Sequence, residues 1–169
     1  MIKNLLKPNW EPGLSIPQLP TKHLIDVGIK ALVLDVDGTL LPRQELILHN
    51  SVKTWIRNAQ SYFALHLLSN NPSKKRIEFI SKQLNINFTY RAAKPTKNAL
   101  CKVQTKLQLG SEEIAIVGDR LFTDVLAGNR LGLYTVLVLP LGSDGEPCEQ
   151  NRVQLFEQSI ARFLGDNKS

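Results

Sequence analysis

Asp35 and Asp37 are the residues of this chain best placed to do chemistry. They stand two apart, directly after the apolar run Ala31-Leu32-Val33-Leu34, and side chains two apart on a strand point the same way. Gly38 follows, allowing the tight turn that leaves both carboxylates facing one small space beyond the strand. Half-buried acids at a strand end are costly unless something pairs with them, and a divalent cation bound to a phosphate is a natural partner. An EF-hand loop fits poorly, because the twelfth residue counted from Asp35 is Leu46 where that loop needs a glutamate. Taken alone, Asp35 to Leu40 also reads as a strand that runs into an acidic turn.

Three later signals change that reading. Leu67-Leu68-Ser69-Asn70-Asn71 ends a second apolar run with a hydroxyl and two amides. Ala93-Lys94-Pro95-Thr96 sets a lysine just before a helix start. Ile114-Ala115-Ile116-Val117-Gly118-Asp119 ends a third run in Gly-Asp, and Asp124 follows five residues later. Alone, Ser69 reads as a turn cap and Lys94 as a surface lysine. Together they put acid pair, hydroxyl, lysine and acid in order along the chain, three of them at strand ends. In parallel α/β sheets ligands bind beyond the carboxyl ends of the strands.

The elements that must position these residues alternate. Strands are predicted near 30–35, 62–68, 88–90, 113–118 and 134–139. Between them lie helical patterns near 51–61 (Val52, Trp55, Ile56, Ala59 inward), 73–84 (Ile77, Ile80, Leu84), after Pro95 (Leu100, Val103, Leu107) and 122–131. A last helix near 149–164 is expected to bury Val153, Phe156, Ile160 and Phe163. Such alternation implies a parallel sheet covered on both faces, a three-layer α/β/α sandwich. Residues 1–20 carry Pro8, Pro12, Pro17 and Pro20, a spacing that excludes a helix and favours an extended arm. With Leu5, Leu6, Trp10, Leu14, Ile16 and Leu19 it either packs on the body or touches an apolar surface. Thr21 can cap a short helix that runs through Val27 and that Gly28 ends, so the expected division is an arm and short helix over 1–28 and one domain over 29–169.

The motif set resembles the haloacid dehalogenase-like (HAD) phosphatases, whose four motifs occur in this order, and the resemblance runs from about Ile29 to Val138. More narrowly the chain resembles the YqeG-like subfamily IIIA, which is similar to phosphatidylglycerophosphate phosphatases. The narrower likeness rests on Gly28-Ile29-Lys30, Ser69-Asn70-Asn71, Arg91 through Pro95, Gly118 through Val125, and Gly128 through Gly132. It implies a mainly parallel Rossmann-like sheet. It implies Asp35 as nucleophile and Asp37 as acid and base, the latter needing a raised pKa that nearby carboxylates could supply. Mg²⁺ is the implied metal, held by the Asp35 carboxylate, the Asp37 carbonyl and Asp119. Ser69 and Lys94 are implied phosphate contacts; Thr39 braces the first loop, whose N–H groups also suit phosphate. Asn70, Arg91 and Arg120 are candidate substrate contacts. Asp124 either reaches the metal through water or caps its helix. The intervals between motifs leave no length for a sizeable cap domain, so the site is expected to be open and suited to a large substrate.

Composition bounds the rest. A chain of 169 residues is the size of one domain. Cys101 and Cys148 lie far apart, with no metal-ligand spacing and no disulfide framework. No apolar run approaches the ~20 residues of a spanning helix, and the first residues are too short in apolar length for a signal peptide. The expected location is cytoplasmic, or peripheral on a membrane. His23, His49 and His66 show no pairing pattern, and His66 in a strand reads as structural. Of the net charge of +6, residues 71–110 carry +8, from 9 basic and 1 acidic side chains. That excess is either two solvated helix faces or a positive field for an anionic partner. The leading reading is a Mg²⁺-dependent phosphomonoesterase acting on phosphatidylglycerophosphate, a lipid head group at a membrane surface. The alternatives are a phosphatase of a phosphoprotein or nucleic acid end, and a non-catalytic RNA- or ribosome-associated module.

Overall fold

Leu32 and Leu34 face one side of the central strand, while Ala31 and Val33 face the other, and all four are fully buried. A strand so apolar on both faces belongs in the middle of a covered parallel sheet. The computed structural model describes residues 2–148 and 152–166 and shows that arrangement. Five parallel strands, β1 (Ala31–Leu34), β2 (Ala64–Leu68), β3 (Asn87–Thr89), β4 (Ile114–Gly118) and β5 (Tyr134–Leu137), lie in the order β3-β2-β1-β4-β5. The chain builds outward from β1 to β3, then returns to β4 on the other side of β1. The carboxyl ends of β1 and β4 therefore flank the point where the winding reverses, the place where such sheets bind ligands.

The N-terminal segment contributes α1 (Ile2–Leu5) and α2 (Thr21–Asp26), in which Thr21 is the first helical residue and Pro20, not Thr21, holds the N-cap position. Helices α3 (Asn50–Gln60) and α4 (Lys74–Leu84) cover one face with the predicted residues: Val52, Trp55, Ile56 and Ala59 from α3, and Ile77, Ile80 and Leu84 from α4. Helix α5 (Asn98–Leu107) and α6 (Leu126–Leu131) cover the other through Leu100, Val103 and Ala127. Asp35 extends the β1 ladder by one residue, its N–H donating to the Val117 carbonyl at 2.9 Å.

Two expectations need correction. The N-terminal arm packs on the body, one of the two outcomes expected of it, but one turn of it, α1, is helical where the proline spacing was expected to exclude a helix. Trp10 pairs with the outer edge of β5: its N–H donates to the Thr135 carbonyl (3.0 Å), and its carbonyl accepts from Leu137 (2.9 Å). The Trp10 ring stacks 4.0 Å from His23, and Ile16 and Leu19 are buried in the main core. Covering β5 in this way removes an open sheet edge and leaves the Trp10 side chain half-buried against the body.

The last helix, α7 (Arg152–Asp166), presents a different face from the one its apolar spacing suggested. Val153 and Phe156 are 46% and 65% exposed, whereas Gln154 and Glu157 are buried. The reason is what α7 covers. Gln154 Nε2 donates to the Asp119 and Val138 carbonyls, both at 3.0 Å. Glu157 accepts from the Leu121 N–H (3.0 Å) and from Arg120. Backbone groups left over where strands end need polar partners, and that need overrides the apolar period. Ile160 is half-buried. The predicted start at 149–151 and the side chain of Phe163 lie outside the described residues.

Candidate active site

The turn after β1 is tight because Gly38 has φ +93°, and a Cβ there would sit 2.6 Å from Asp119 Oδ2. Only glycine allows the first loop to lie against the β4 end. Gly118 has the same function on the other side, where a Cβ would meet the Asp124 carboxylate at 2.2 Å. A single wide π turn over Leu121–Val125, in place of the expected α-helical start, leads into α6 and carries Asp124 back over Gly118. Asp124 Oδ2 accepts from the Arg120 N–H at 3.3 Å.

These contacts bring Asp35, Asp119 and Asp124 together. All three are buried, and their carboxylate oxygens lie within 4.8 Å of one another. The Lys94 ammonium sits among them, donating to Asp35 Oδ1 and Asp124 Oδ1, both at 2.6 Å, and to the Leu68 carbonyl at 2.9 Å. Burial pushes the Asp35 carboxyl up to about 6 against the pull of Lys94, with Asp124 adding to the rise. Burial pushes Asp119 further, to about 8, and Asp35 and Asp124 add to it. At Lys94 burial opposes the charge, but Asp124 and Asp35 outweigh it and hold the ammonium protonated above its ordinary range. One buried cation thus pairs with two of the three carboxylates, while at Asp119 the Arg120 guanidinium pulls against the rise without cancelling it, and the positive charge is short.

Asp35 and Lys94 of this cluster reach the floor of an open cavity of about 290 Å³, lined also by Asp37, Arg43, Ser69, Asn70, Asn71, Pro72, Arg120 and Thr123. Ser69 is 1% exposed, and its Oγ accepts from the Asn71 N–H at 3.1 Å, which leaves the hydroxyl proton to donate. Asn70 lines the cavity but uses both ends of its amide on Lys94: Nδ2 donates to the Lys94 carbonyl (2.9 Å), and Oδ1 accepts from its N–H (2.7 Å). That contact orients the lysine. Thr39 is fully buried and does not line the cavity; its hydroxyl lies 3.3 Å from both Asp35 Oδ2 and Asp119 Oδ1, so its side chain braces the carboxylates rather than meeting a substrate.

Asp37 stands apart from the carboxylate cluster. Its Oδ2 accepts from Asn71 Nδ2 at 3.0 Å, and its Oδ1 pairs with Arg76 Nη2 at 2.7 Å. Its neighbours are therefore an amide and a guanidinium, not the carboxylates expected from the sequence. The carboxylate that joins Asp35 and Asp119 is Asp124, so neither of the roles expected of Asp124 includes its main contact, the ion pair with Lys94. Arg120 is tied to Glu157 through Nε (2.8 Å) and Nη2 (2.6 Å) and still lines the cavity. Arg91 is exposed and lines a separate hollow between Thr89 and Lys102. Sequence reasoning missed Asn71, Arg76, Arg43 and Glu157; only Asn71, inside the Ser-Asn-Asn run, carried a signal. His66 is buried against Thr89 Oγ1 at 2.9 Å, and burial, with Lys106, lowers it to about 4.

The sheet order and the acid–lysine cluster at its switch point are those of a HAD-type phosphatase. Comparison with known proteins narrows that class. Residues 4–140 match the family described as mitochondrial PGP phosphatase, and the chain belongs to that family. It is 29% identical over 153 residues to the probable phosphatase YqeG of Bacillus subtilis, covering 90% of this chain and 88% of that one. It is 28% identical over 184 residues to the mitochondrial phosphatidylglycerophosphatase GEP4 of Saccharomyces cerevisiae, covering 96% of each. Among solved structures, the cobalt-bound deoxy-D-mannose-octulosonate 8-phosphate phosphatase of Haemophilus influenzae superposes with a TM-score of 0.55. It is 20% identical and covers 67% of this chain and 70% of its own, a likeness of fold. The protein is a YqeG-like HAD phosphatase.

Proposed function

We propose that the protein is a Mg²⁺-dependent phosphomonoesterase that converts phosphatidylglycerophosphate to phosphatidylglycerol and phosphate through an aspartyl-phosphate on Asp35. The observation that carries the chemistry is Asp35 on the cavity floor, buried against Lys94, with Asp37 separately held on the cavity wall. The Asp35 carboxylate attacks phosphorus, the bond to the lipid oxygen breaks, and Asp37 gives that oxygen a proton. Water then attacks the phospho-aspartate. Asp37 takes its proton, the bond to Asp35 breaks, and phosphate leaves. Lys94 and the Ser69 hydroxyl stabilise charge on the transferring phosphoryl oxygens.

The residues fit a hard divalent cation. The donors are all oxygens, three buried carboxylates converge, and burial with the neighbouring Asp35 and Asp124 holds Asp119 at about 8 despite Arg120. The Asp35 and Asp119 carboxylates and the Asp37 carbonyl would hold Mg²⁺, with Asp124 beside them. When bound, it supplies charge neutralisation between the phosphate dianion and the carboxylate nucleophile.

The choice of lipid phosphate is supported by the family and by GEP4, a phosphatidylglycerophosphatase. It is also supported by the open cavity and by Leu46 and Ile47, 46% and 62% exposed on the segment that follows Arg43. This reading places the protein at a membrane face, although no helix among the described residues is long and apolar enough to cross one. The test is phosphate release from a panel of phosphatidylglycerophosphate, a phosphopeptide, a 5′-phosphorylated oligonucleotide and sugar phosphates with Mg²⁺. The lipid is expected to be hydrolysed with the highest kcat/KM. Preference for the phosphopeptide or oligonucleotide would replace the lipid assignment, and no turnover of any ester would remove the enzyme reading.

A further inference from the structure

Asp37 has to serve both half-reactions from one position, and what holds it there is a residue with no place in the chemistry so far. Arg76 lies in the first turn of α4, two positions after the helix begins. Its Nη2 pairs with Asp37 Oδ1 at 2.7 Å, and the two side chains are only 12% and 13% exposed. The same guanidinium holds the segment that follows the first loop: Nη1 donates to the Glu45 carbonyl and Nη2 lies 3.4 Å from the Pro42 carbonyl. Its Nε is buried with no hydrogen-bond partner. A buried donor left unpaired is unfavourable, so the fork is oriented by its two ends and not by its own satisfaction. The other Asp37 oxygen is fixed by Asn71, whose Oδ1 in turn accepts from the Ser73 N–H (2.9 Å), while the Ser73 hydroxyl caps the Arg76 N–H (3.3 Å). One short run after β2 therefore supplies both tethers of Asp37.

We propose that Arg76 is the positioning residue of the acid–base carboxylate: its planar fork ties Asp37 to the 42–45 segment and sets the carboxylate where it can reach the leaving oxygen. A lysine, a point charge without the fork, cannot hold two carbonyls and a carboxylate in one plane. This proposal rests on the phosphatase reading above.

The experiment compares kcat/KM, which reports the steps up to the first phosphoryl transfer, for two esters. One is phosphatidylglycerophosphate in micelles, whose alkoxide needs a proton to leave. The other is p-nitrophenyl phosphate, whose phenolate does not. General acid catalysis contributes ~10²–10⁴-fold, so Arg76→Ala is expected to lose ~10²-fold on the lipid and less than ~5-fold on the aryl ester. Arg76→Lys should recover part of the lipid activity. An arginine that only supports the fold predicts equal losses on both esters, and that result, or no loss on either, overturns the proposal. Should Arg76→Ala fail to fold, Arg76→Lys and Asn71→Ala carry the same comparison. If wild type hydrolyses neither ester, the lipid-phosphatase reading fails. The crystal structure of Arg76→Lys then decides the positioning, and an Asp37 carboxylate that has not moved overturns it.

Discussion

Asp119→Asn should make the metal-free protein more stable and the enzyme inactive. Asp119 is 3% exposed, and burial together with Asp35 and Asp124 pushes its carboxyl from 3.8 up to about 8. Between those values the folded state keeps a proton that the unfolded chain has released, so stability falls as pH rises through that window. At ~1.4 kcal/mol for each factor of ten, the full displacement corresponds to a penalty on the order of 5 kcal/mol near pH 8. The pull of Arg120 already limits it and proton sharing with Asp35 reduces it, and a gain of ~2–4 kcal/mol for the amide is the working figure. For a domain of this size that is a rise in Tm of roughly 5–15 °C. The assay is thermal and urea unfolding in EDTA at pH 8 and pH 5. The variant should be more stable at pH 8, and the difference should shrink at pH 5, where wild-type Asp119 is already protonated. With Mg²⁺ added the order should narrow or reverse, because a ligand that binds only the folded state stabilises it and the amide is the poorer ligand. A variant less stable than wild type at pH 8 in EDTA, or a difference that ignores pH, would refute the claim that the cluster lacks positive charge.

Asp35→Asn should abolish phosphate release while leaving the circular dichroism spectrum unchanged, since the isostere preserves shape and removes the nucleophile; activity within about tenfold of wild type would remove that role. Chelator should silence the enzyme, Mg²⁺ should restore it, and Ca²⁺ should restore it poorly, because calcium prefers looser, higher coordination; full activity in EDTA would exclude the metal-assisted mechanism. Deleting residues 1–20 should destabilise the fold, since it strips Ile16 and Leu19 from the core and uncovers β5. Its activity should fall equally on a soluble ester and on vesicle-borne lipid, and a loss confined to the vesicles would restore a membrane role for the arm.

The strands, their parallel pairing and the candidate reactive residues were legible in the sequence because they depend on local pattern. Apolar runs of four or five residues ending in Asp35, Ser69 and Asp119 mark strand ends, and strand ends meet on one edge of a parallel sheet. The inward faces of α3 and α4 followed from period alone, since each packs an apolar stripe on the sheet. What depends on polar groups meeting across the fold was not legible. Arg76 and Asp37 are 39 residues apart, and Glu157 and Arg120 are 37 apart, with no periodic signal joining either pair. Asp124 could be placed near its helix but not against Lys94, because that contact needs the π turn and the missing Cβ of Gly118. The face of α7 was misread for the same reason: carbonyls at the end of β4 and after β5 require Gln154, and a requirement set by distant backbone outweighs a local apolar stripe. The sequence by itself determined which groups are present at the sheet's edge. Tertiary structure decided which of them share a charge.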